Sequence, residues 1–219
     1  MIRKFTLAFI TTALLAPSVM FGAAGIFGSD IGLKSNKFNA GGNTFFEATL
    51  LGDARQAPLA NGAVVTLPVT LNTTGFNGLN LGTFNPFAGD TLLFIGGEAL
   101  TFKNGTTDVT GTAINYKIDG GAFTPFSLTF NEDNVSGSPG DQRWANTDQA
   151  VNLLSGLSLG AHTLQFFTSG TTNDVGAIFD NAGGANFTAS FTVVPEPATV
   201  LLIAPALLGG MFFVRRRRA

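Results

Sequence analysis

The chain of 219 residues contains no cysteine, a single histidine, a single tryptophan and a single tyrosine. The absence of cysteine excludes disulfides, thiolate metal ligands and thiol nucleophiles. One histidine also excludes a zinc site built from several imidazoles. A Ser-His-Asp arrangement and a pair of catalytic carboxylates stay open by count alone. We expect a protein that is not an enzyme, in which His162 lies at the start of an apolar strand and supports the fold.

Charged residues are also scarce and unevenly placed, since only 12% of the chain is Asp, Glu, Lys or Arg. Six of the twelve cationic residues lie close to the two chain ends. The part between them keeps six Lys or Arg and all fourteen acidic residues, which gives it a formal charge of −8. Nucleic acid and anionic membrane surfaces both recruit clustered cations, so neither is expected as a partner of this acidic body.

The first residues have the three parts of a secretory signal peptide. Two cations precede the apolar stretch Phe5–Phe21, and small residues follow it up to Ala24. We expect a Sec signal peptide over residues 1–24, removed by signal peptidase after Ala24, with cleavage after Ala23 as the alternative. A retained membrane helix fits less well, because a small-residue cleavage site follows the apolar stretch.

The other end of the chain carries a second composite signal over residues 194–219. It opens with a proline-rich motif over 194–199, whose first four residues are Val194, Pro195, Glu196 and Pro197. An uncharged run of 17 residues follows, and it would span roughly 25 Å as a helix. The run ends at a basic cluster formed by Arg215, Arg216, Arg217 and Arg218. Because arginines resist translocation, we expect a transmembrane helix over 198–214 with the body outside the inner membrane.

This order of motif, apolar run and arginines resembles the PEP-CTERM sorting signal of exopolysaccharide-producing Gram-negative bacteria. The resemblance covers the last 26 residues and matches the family pattern at each position of Val194–Pro197. It implies an exosortase as partner, a membrane-embedded enzyme similar to a cysteine transpeptidase, which recognises the motif, cuts nearby and releases the helix. A permanent single-pass anchor is the alternative.

The two signals together predict a route and a destination. The chain is expected to leave the cytoplasm by Sec, to be held briefly in the inner membrane with a periplasmic body, and then to reach the outer surface or the extracellular layer. The resemblance implies a structural surface or matrix protein associated with exopolysaccharide or biofilm. The alternatives are a glycan- or calcium-binding adhesin and a carboxylate-dependent polysaccharide hydrolase.

The body, residues 25–193, is predicted to be all-β. Glycine, asparagine and threonine separate short alternating segments, and long runs of helix-forming residues are lacking. The best hairpin joins Ala113–Ile118 to Phe126–Phe130 through Asp119-Gly120-Gly121, and Phe187–Val193 is expected to be the last strand. We predict a single antiparallel β-sandwich of the jelly-roll or immunoglobulin-like kind, flanked by the signal peptide and the transmembrane helix.

Two further strands are predicted earlier in the body. Thr91–Ile95 is a continuous apolar run between an aspartate and a glycine, as in a buried strand. Ala99–Lys103 is predicted as a separate strand, and Asn104-Gly105 after it is a strong hairpin signal.

A polar segment, Asn131–Asp141, follows the predicted hairpin and contains the carboxylates of Glu132, Asp133 and Asp141. Calcium takes six to eight oxygen ligands, and carboxylates and amides supply them. A solvated loop is the preferred interpretation, because the spacing matches no EF-hand, and a calcium site is the alternative. We expect no other cofactor.

Trp144, which follows this segment, is the one tryptophan of the chain. Exposed tryptophan offers sugars an apolar face with a polar tip, so a small glycan site is one interpretation. A buried core position is the preferred one, since such aromatics are more often interior.

Overall fold

The computed structural model describes residues 23–48, 70–72, 75–135, 139–147 and 149–195. These residues form strands joined by turns and short 3-10 segments, which confirms the all-β prediction. The strands are β1 (Gly25–Lys34), β2 (Asn43–Glu47), β3 (Thr70–Asn72), β4 (Leu79–Phe84), β5 (Leu93–Phe102), β6 (Val109–Ile118), β7 (Thr124–Asp133), β8 (Asp141–Asn146), β9 (Val151–Asn152), β10 (Gly160–Thr172), β11 (Ala177–Asp180) and β12 (Phe187–Val193).

The two predicted targeting segments lie almost wholly outside these residues. The described part begins at Ala23 and ends at Pro195, so the apolar stretch of the signal peptide, the rest of the sorting motif from Glu196, the predicted span 198–214 and the arginines 215–218 are not covered. Within the part of the chain that is described, no helix has the length and apolarity needed to cross a bilayer.

The strands form one mixed sheet in the order β3-β2-β1-β5-β8-β7-β6-β10-β12-β4, with β9 added to β5 and β11 to β10. Most neighbours are antiparallel, but β12 pairs with β4 and β2 pairs with β3 in parallel. The prediction of a purely antiparallel sheet is therefore wrong at these two pairs. Parallel neighbours need a crossover connection, and long stretches of chain separate the partners in both cases.

The sheet curls at β7, which has different partners along its two halves. Thr124–Leu128 pairs with β6, whereas Thr129–Asp133 pairs with β8 across a register shift between Phe130 and Glu132. The strand thus divides the sheet into a first half, β3-β2-β1-β5-β8, and a second half, β6-β10-β12-β4. Such bulged strands commonly form the corners at which a sheet folds over.

Aromatic side chains fill the space between the two halves. Phe94 of β5 stacks on Tyr116 of β6 with ring centroids 4.3 Å apart. Phe76, which precedes β4, meets Phe166 of β10 edge-on at 4.8 Å and also contacts Phe46 of β2. Each buried ring contributes about 1.5–3 kcal/mol of transfer free energy, which is how a chain without disulfides stabilises this fold.

A pair of glycines lets β5 lie close to its neighbours. A Cβ on Gly96, whose φ is +116°, would lie 1.8 Å from the Asn146 carbonyl oxygen. A Cβ on Gly97 would lie 2.2 Å from the Asp30 carbonyl oxygen and 2.5 Å from Ile114 of the facing half. Both approaches involve backbone or core atoms, so side chains here would push β5 away from its neighbours.

Some of the strands predicted from sequence are confirmed and others are wrong. The β6–β7 hairpin and the last strand, Phe187–Val193, are confirmed. Thr91–Ile95 and Ala99–Lys103 are not two strands but parts of β5, because Gly96 and Gly97 continue the pairing with β1. The turn at Asn104-Gly105 is present, yet it leads β5 towards β6 in the other half of the sheet.

Candidate functional site

The most informative local arrangement is the place where the chain leaves the domain after β12. There β12 lies between β10 and β4, with Val193 opposite both Gly160 and Phe84. The Val194 N–H donates to the Phe84 carbonyl oxygen at 2.9 Å, so the first residue of the predicted sorting motif continues the pairing with β4. Half-buried Val194 and Pro195 are thus attached to the sheet.

Asn85 makes the second attachment. Its Nδ2 donates to the Pro195 carbonyl oxygen at 3.1 Å, while its Oδ1 accepts the N–H groups of Phe87 and Ala88 at 3.1 and 3.2 Å. Asn followed by proline is a favourable start for a short helical turn. The asparagine side chain caps free backbone N–H groups, and proline has no backbone N–H that needs a partner. We call the Phe84 carbonyl and the Asn85 side chain the exit clamp. The Asn85-Pro86 pair is the sequence signal that could have revealed it.

Asp90 fixes the backbone of Asn85 in turn. Its Oδ2 accepts the Asn85 N–H at 2.7 Å and lies 3.0 Å from the Lys37 ammonium. Burial acts to raise the pKa of Asp90, but the Asn85 hydrogen bond and the lysine outweigh burial and lower that pKa. The carboxylate therefore stays ionised and keeps Asn85 in place.

The predicted signal cleavage site lies at the opposite end of β1. Ala23 is exposed, whereas Ala24 is 2% exposed and belongs to the core. The first strand begins directly after it, at Gly25.

His162 is buried beside the exit, where it pairs with Phe191 of β12. Its Nδ1 lies 2.8 Å from Asp119 Oδ2 and its Nε2 lies 2.8 Å from the Ser158 carbonyl oxygen. A carbonyl and an ionised carboxylate only accept hydrogen bonds, so these two contacts favour the protonated imidazole, which donates from both nitrogens. The Asp119 hydrogen bond, helped by Ser158, raises the pKa of His162 against the effect of burial.

The segment Gly156–Gly160 has the spacing Gly-x-Ser-x-Gly that carries the nucleophile of many esterases, a signal missed from sequence alone. With His162 and Asp119 near Ser158, the three residue types of a catalytic triad lie together. Their geometry differs from a triad, because the backbone carbonyl of Ser158 and not its hydroxyl occupies Nε2. The segment also leads into strand β10 and not into a helix. We conclude that the arrangement closes a turn.

The carboxylates of the predicted calcium segment are not brought together. Glu132 and Asp133 belong to β7, where Glu132 pairs with Arg143 at 3.2 Å and Asp133 with Lys103 at 3.2 Å. Asp141 begins β8 opposite Phe102. In the described part of the chain, no group of three or more potential ligands is placed to hold a metal ion.

Trp144 is a core residue with 7% exposure. Its indole Nε1 donates to Thr101 Oγ1 at 3.1 Å, and the Thr101 hydroxyl donates to Gln142 Oε1 at 3.2 Å. Phe130 packs edge-on against the ring at 5.3 Å. In this conformation the indole offers no open face on which a sugar could stack.

A row of acidic residues, which sequence reasoning did not single out, crosses the first half of the sheet. Asp30 lies opposite Glu47 on one side and Glu98 on the other, and all three are at most 6% exposed. Arg143 Nε lies 3.3 Å from Glu98 Oε2. The available signal was a lone acid within each of three strands. Such burial keeps a large substrate away, so the row fits a structural ion cluster better than a hydrolase centre.

In comparisons with known proteins, the chain matches no family model, no curated protein and no solved structure.

Replacing Asn85 with alanine should loosen the exit clamp. The loss of one buried hydrogen bond to Pro195 and of the cap is expected to cost about 1 kcal/mol. Amide hydrogen exchange at Val194 should then become about fivefold faster, because the local opening that exposes this N–H is easier. Asn80→Ala is the matched control, since Asn80 lies within β4 and its side chain accepts a hydrogen bond from the nearby Gly82 N–H, not from the departing chain. Unchanged protection of Val194 in Asn85→Ala would show that the clamp does not hold the motif.

The pKa of His162 should lie above its ordinary value of about 6.5 and fall in Asp119→Asn. Because folding raises this pKa, the pairing adds stability that is complete below the unfolded-state pKa and is lost as pH rises through the folded-state pKa. His162 is the only histidine, so its imidazole resonances in an NMR titration are identified without ambiguity. A folded-state pKa at or below 6.5 would contradict the doubly donating imidazole.

Proposed function

We propose that this chain is an exported, non-enzymatic surface or matrix protein, delivered by PEP-CTERM sorting to the outer surface or to the extracellular polysaccharide layer. One observation carries the proposal: a proline motif, an uncharged run of bilayer length and four arginines follow the last strand without an intervening linker. Signal peptidase and an exosortase-like membrane enzyme are its partners, and exopolysaccharide is the proposed neighbour of the mature protein.

The positions of the first and last strands support this proposal. β1 begins at Gly25, one residue after the proposed signal cleavage site, and β12 ends at Val193, one residue before the motif. Removal of both signals would therefore leave every described strand intact. Buried Ala24 favours a signal peptidase that acts during translocation, before the core forms; cleavage after Ala23 would keep this side chain in the core.

The exit clamp suggests where the second cleavage falls. A processing enzyme needs a segment that it can draw into its active site, and Val194 and Pro195 are bonded to the sheet. We propose that the exosortase cuts at or after the Pro195–Glu196 bond. The mature protein would then keep both attachments and end at the surface of the folded domain.

The body is proposed to act as a β-sandwich module with a structural role. Stacking of Phe94 on Tyr116 and of Phe76 against Phe166 supports two layers that pack face to face. The engagement of both His162 nitrogens and the core position of Trp144 favour structural roles for the two residues most often expected in chemistry or sugar stacking.

Mass spectrometry of the protein purified from its own host should find neither signal. We expect a mature chain that begins at Gly25 and ends within residues 195–198. Pro197→Ala, which alters the motif, should block carboxyl-terminal processing. Pro205→Ala makes the same change inside the apolar run and is the control that should still be processed. Retention of Arg215–Arg218 in the mature protein is incompatible with the proposal.

A non-enzymatic body should be inert towards a fluorophosphonate, a probe that labels activated serines. No adduct is expected at Ser158, because Nε2 of His162 is engaged by the Ser158 backbone carbonyl and cannot accept the proton of the Ser158 hydroxyl. Intact-mass measurement after incubation reads the result. An adduct that disappears in both Ser158→Ala and His162→Gln would reveal an active hydrolase and overturn this part of the proposal.

A further inference from the structure

The end of the domain at which the chain leaves is a distinct surface. At this surface β1, β4, β6, β8 and β12 end, and β2, β5, β7 and β10 begin. These directions follow from the strand pairing, in which the neighbours are antiparallel except for the parallel pair β4 and β12. Its connecting segments are residues 35–42, 85–92, 119–123 and 155–159, together with Val194 and Pro195. We call this surface the exit end and the opposite one the far end.

Two apolar side chains project from the exit end. Phe87 is 69% exposed and Leu159 is 55% exposed, the highest values among the large hydrophobic residues described. Both lie close to the departing chain. The Phe87 N–H is bonded to Asn85, which holds Pro195, and Leu159 precedes Gly160, the partner of Val193. These two side chains thus flank the point at which the chain leaves the sheet.

Charge is distributed unequally between the two ends. Among the described residues, three lysines and two aspartates lie at or next to the exit end: Lys34, Lys37, Lys117, Asp90 and Asp119. The far end has one lysine and four aspartates: Lys103, Asp108, Asp133, Asp141 and Asp174. Among the described residues the exit end is therefore the less anionic of the two, and an anionic bilayer repels it less than it repels the far end.

The sequence leaves little room between the exit end and the apolar run. Only Glu196 and Pro197 separate Pro195 from Ala198, where the uncharged residues begin. Three residue steps span at most about 11 Å even when fully extended. If the run enters a bilayer, as the proposed function requires, the exit end lies in or within a few ångströms of the headgroup region, which extends roughly 5–7.5 Å beyond the hydrocarbon core on each side.

We propose that the exit end is a membrane-contacting surface. Phe87 and Leu159 enter the headgroup region of the outer leaflet of the inner membrane while the tail is still attached, and the far end points away from the lipid. This inference rests on the proposed function, because the tail must be in the bilayer. The contact fixes the orientation of the body and presents the bonds after Pro195 at the membrane surface, where a membrane-embedded processing enzyme acts.

The lack of cysteine makes a direct test available, since any introduced cysteine is the only one in the chain. Full-length chains carrying Phe87→Cys or Leu159→Cys are labelled with the environment-sensitive fluorophore NBD and reconstituted in phosphatidylethanolamine–phosphatidylglycerol vesicles. Val175→Cys is the matched control, because Val175 is 53% exposed but lies in the β10–β11 turn at the far end. Lipids with a nitroxide on the headgroup serve as quenchers. A fourth variant, Leu207→Cys, reports whether the tail has inserted.

The expected result is quenching at positions 87 and 159 that is several-fold stronger than at 175, together with strong quenching at 207 by lipids labelled within the acyl chain. Quenching at 207 with no difference between 159 and 175 would overturn the membrane-contacting surface while leaving the sorting proposal intact. Absence of quenching at 207 would instead overturn the membrane-held tail and the inference with it. Self-association through this surface would also overturn the membrane-contacting surface. It would appear as a blue shift of the NBD emission at positions 87 and 159 that grows with protein concentration and occurs without quenching by the labelled lipids.

Discussion

The rest of the structure depends on one strand having two sets of partners. The first part of β7 pairs with β6 and the second part with β8, so a single sheet folds over and brings its apolar faces together. Phe94 reaches Tyr116, and Phe76 reaches Phe166, only because of this fold. In a chain without cysteine, the burial of these rings takes the place that disulfides hold in many exported domains.

Strand pairing within the second half of the sheet explains the geometry of the exit. The last strand is an inner neighbour of β10 and β4 and is held along its length. The chain therefore leaves from a defined point, and the exit clamp extends the order of the sheet by two residues into the motif. The proposed sorting signal is therefore separated from the folded body by only a few bonds, which would place the body close to whatever holds the tail.

Local patterns predicted the parts of the fold that depend on neighbours in sequence. The β6–β7 hairpin was predictable because alternating segments flank Asp119-Gly120-Gly121, and the last strand because Phe187–Val193 alternates without interruption. The continuity of β5 through Gly96 and Gly97 was not predictable, since glycines usually interrupt strands. Only the close approach of the Asp30 and Asn146 backbones explains the two glycines here. Glu132 and Asp133 likewise looked like loop ligands, and their cationic partners come from strands distant in sequence.

By itself, the sequence determined the all-β class, the acidity of the body and the order of the terminal segments proposed as signals, because composition and linear motifs carry this information and need no folding. Only the tertiary structure decided which residues surround the exit. Asn85 and Pro195 are far apart in sequence, and they meet because β4 and β12 pair and end at the same end of the sheet. Their meeting depends on strand pairing across long separations, which no local pattern in the sequence specifies.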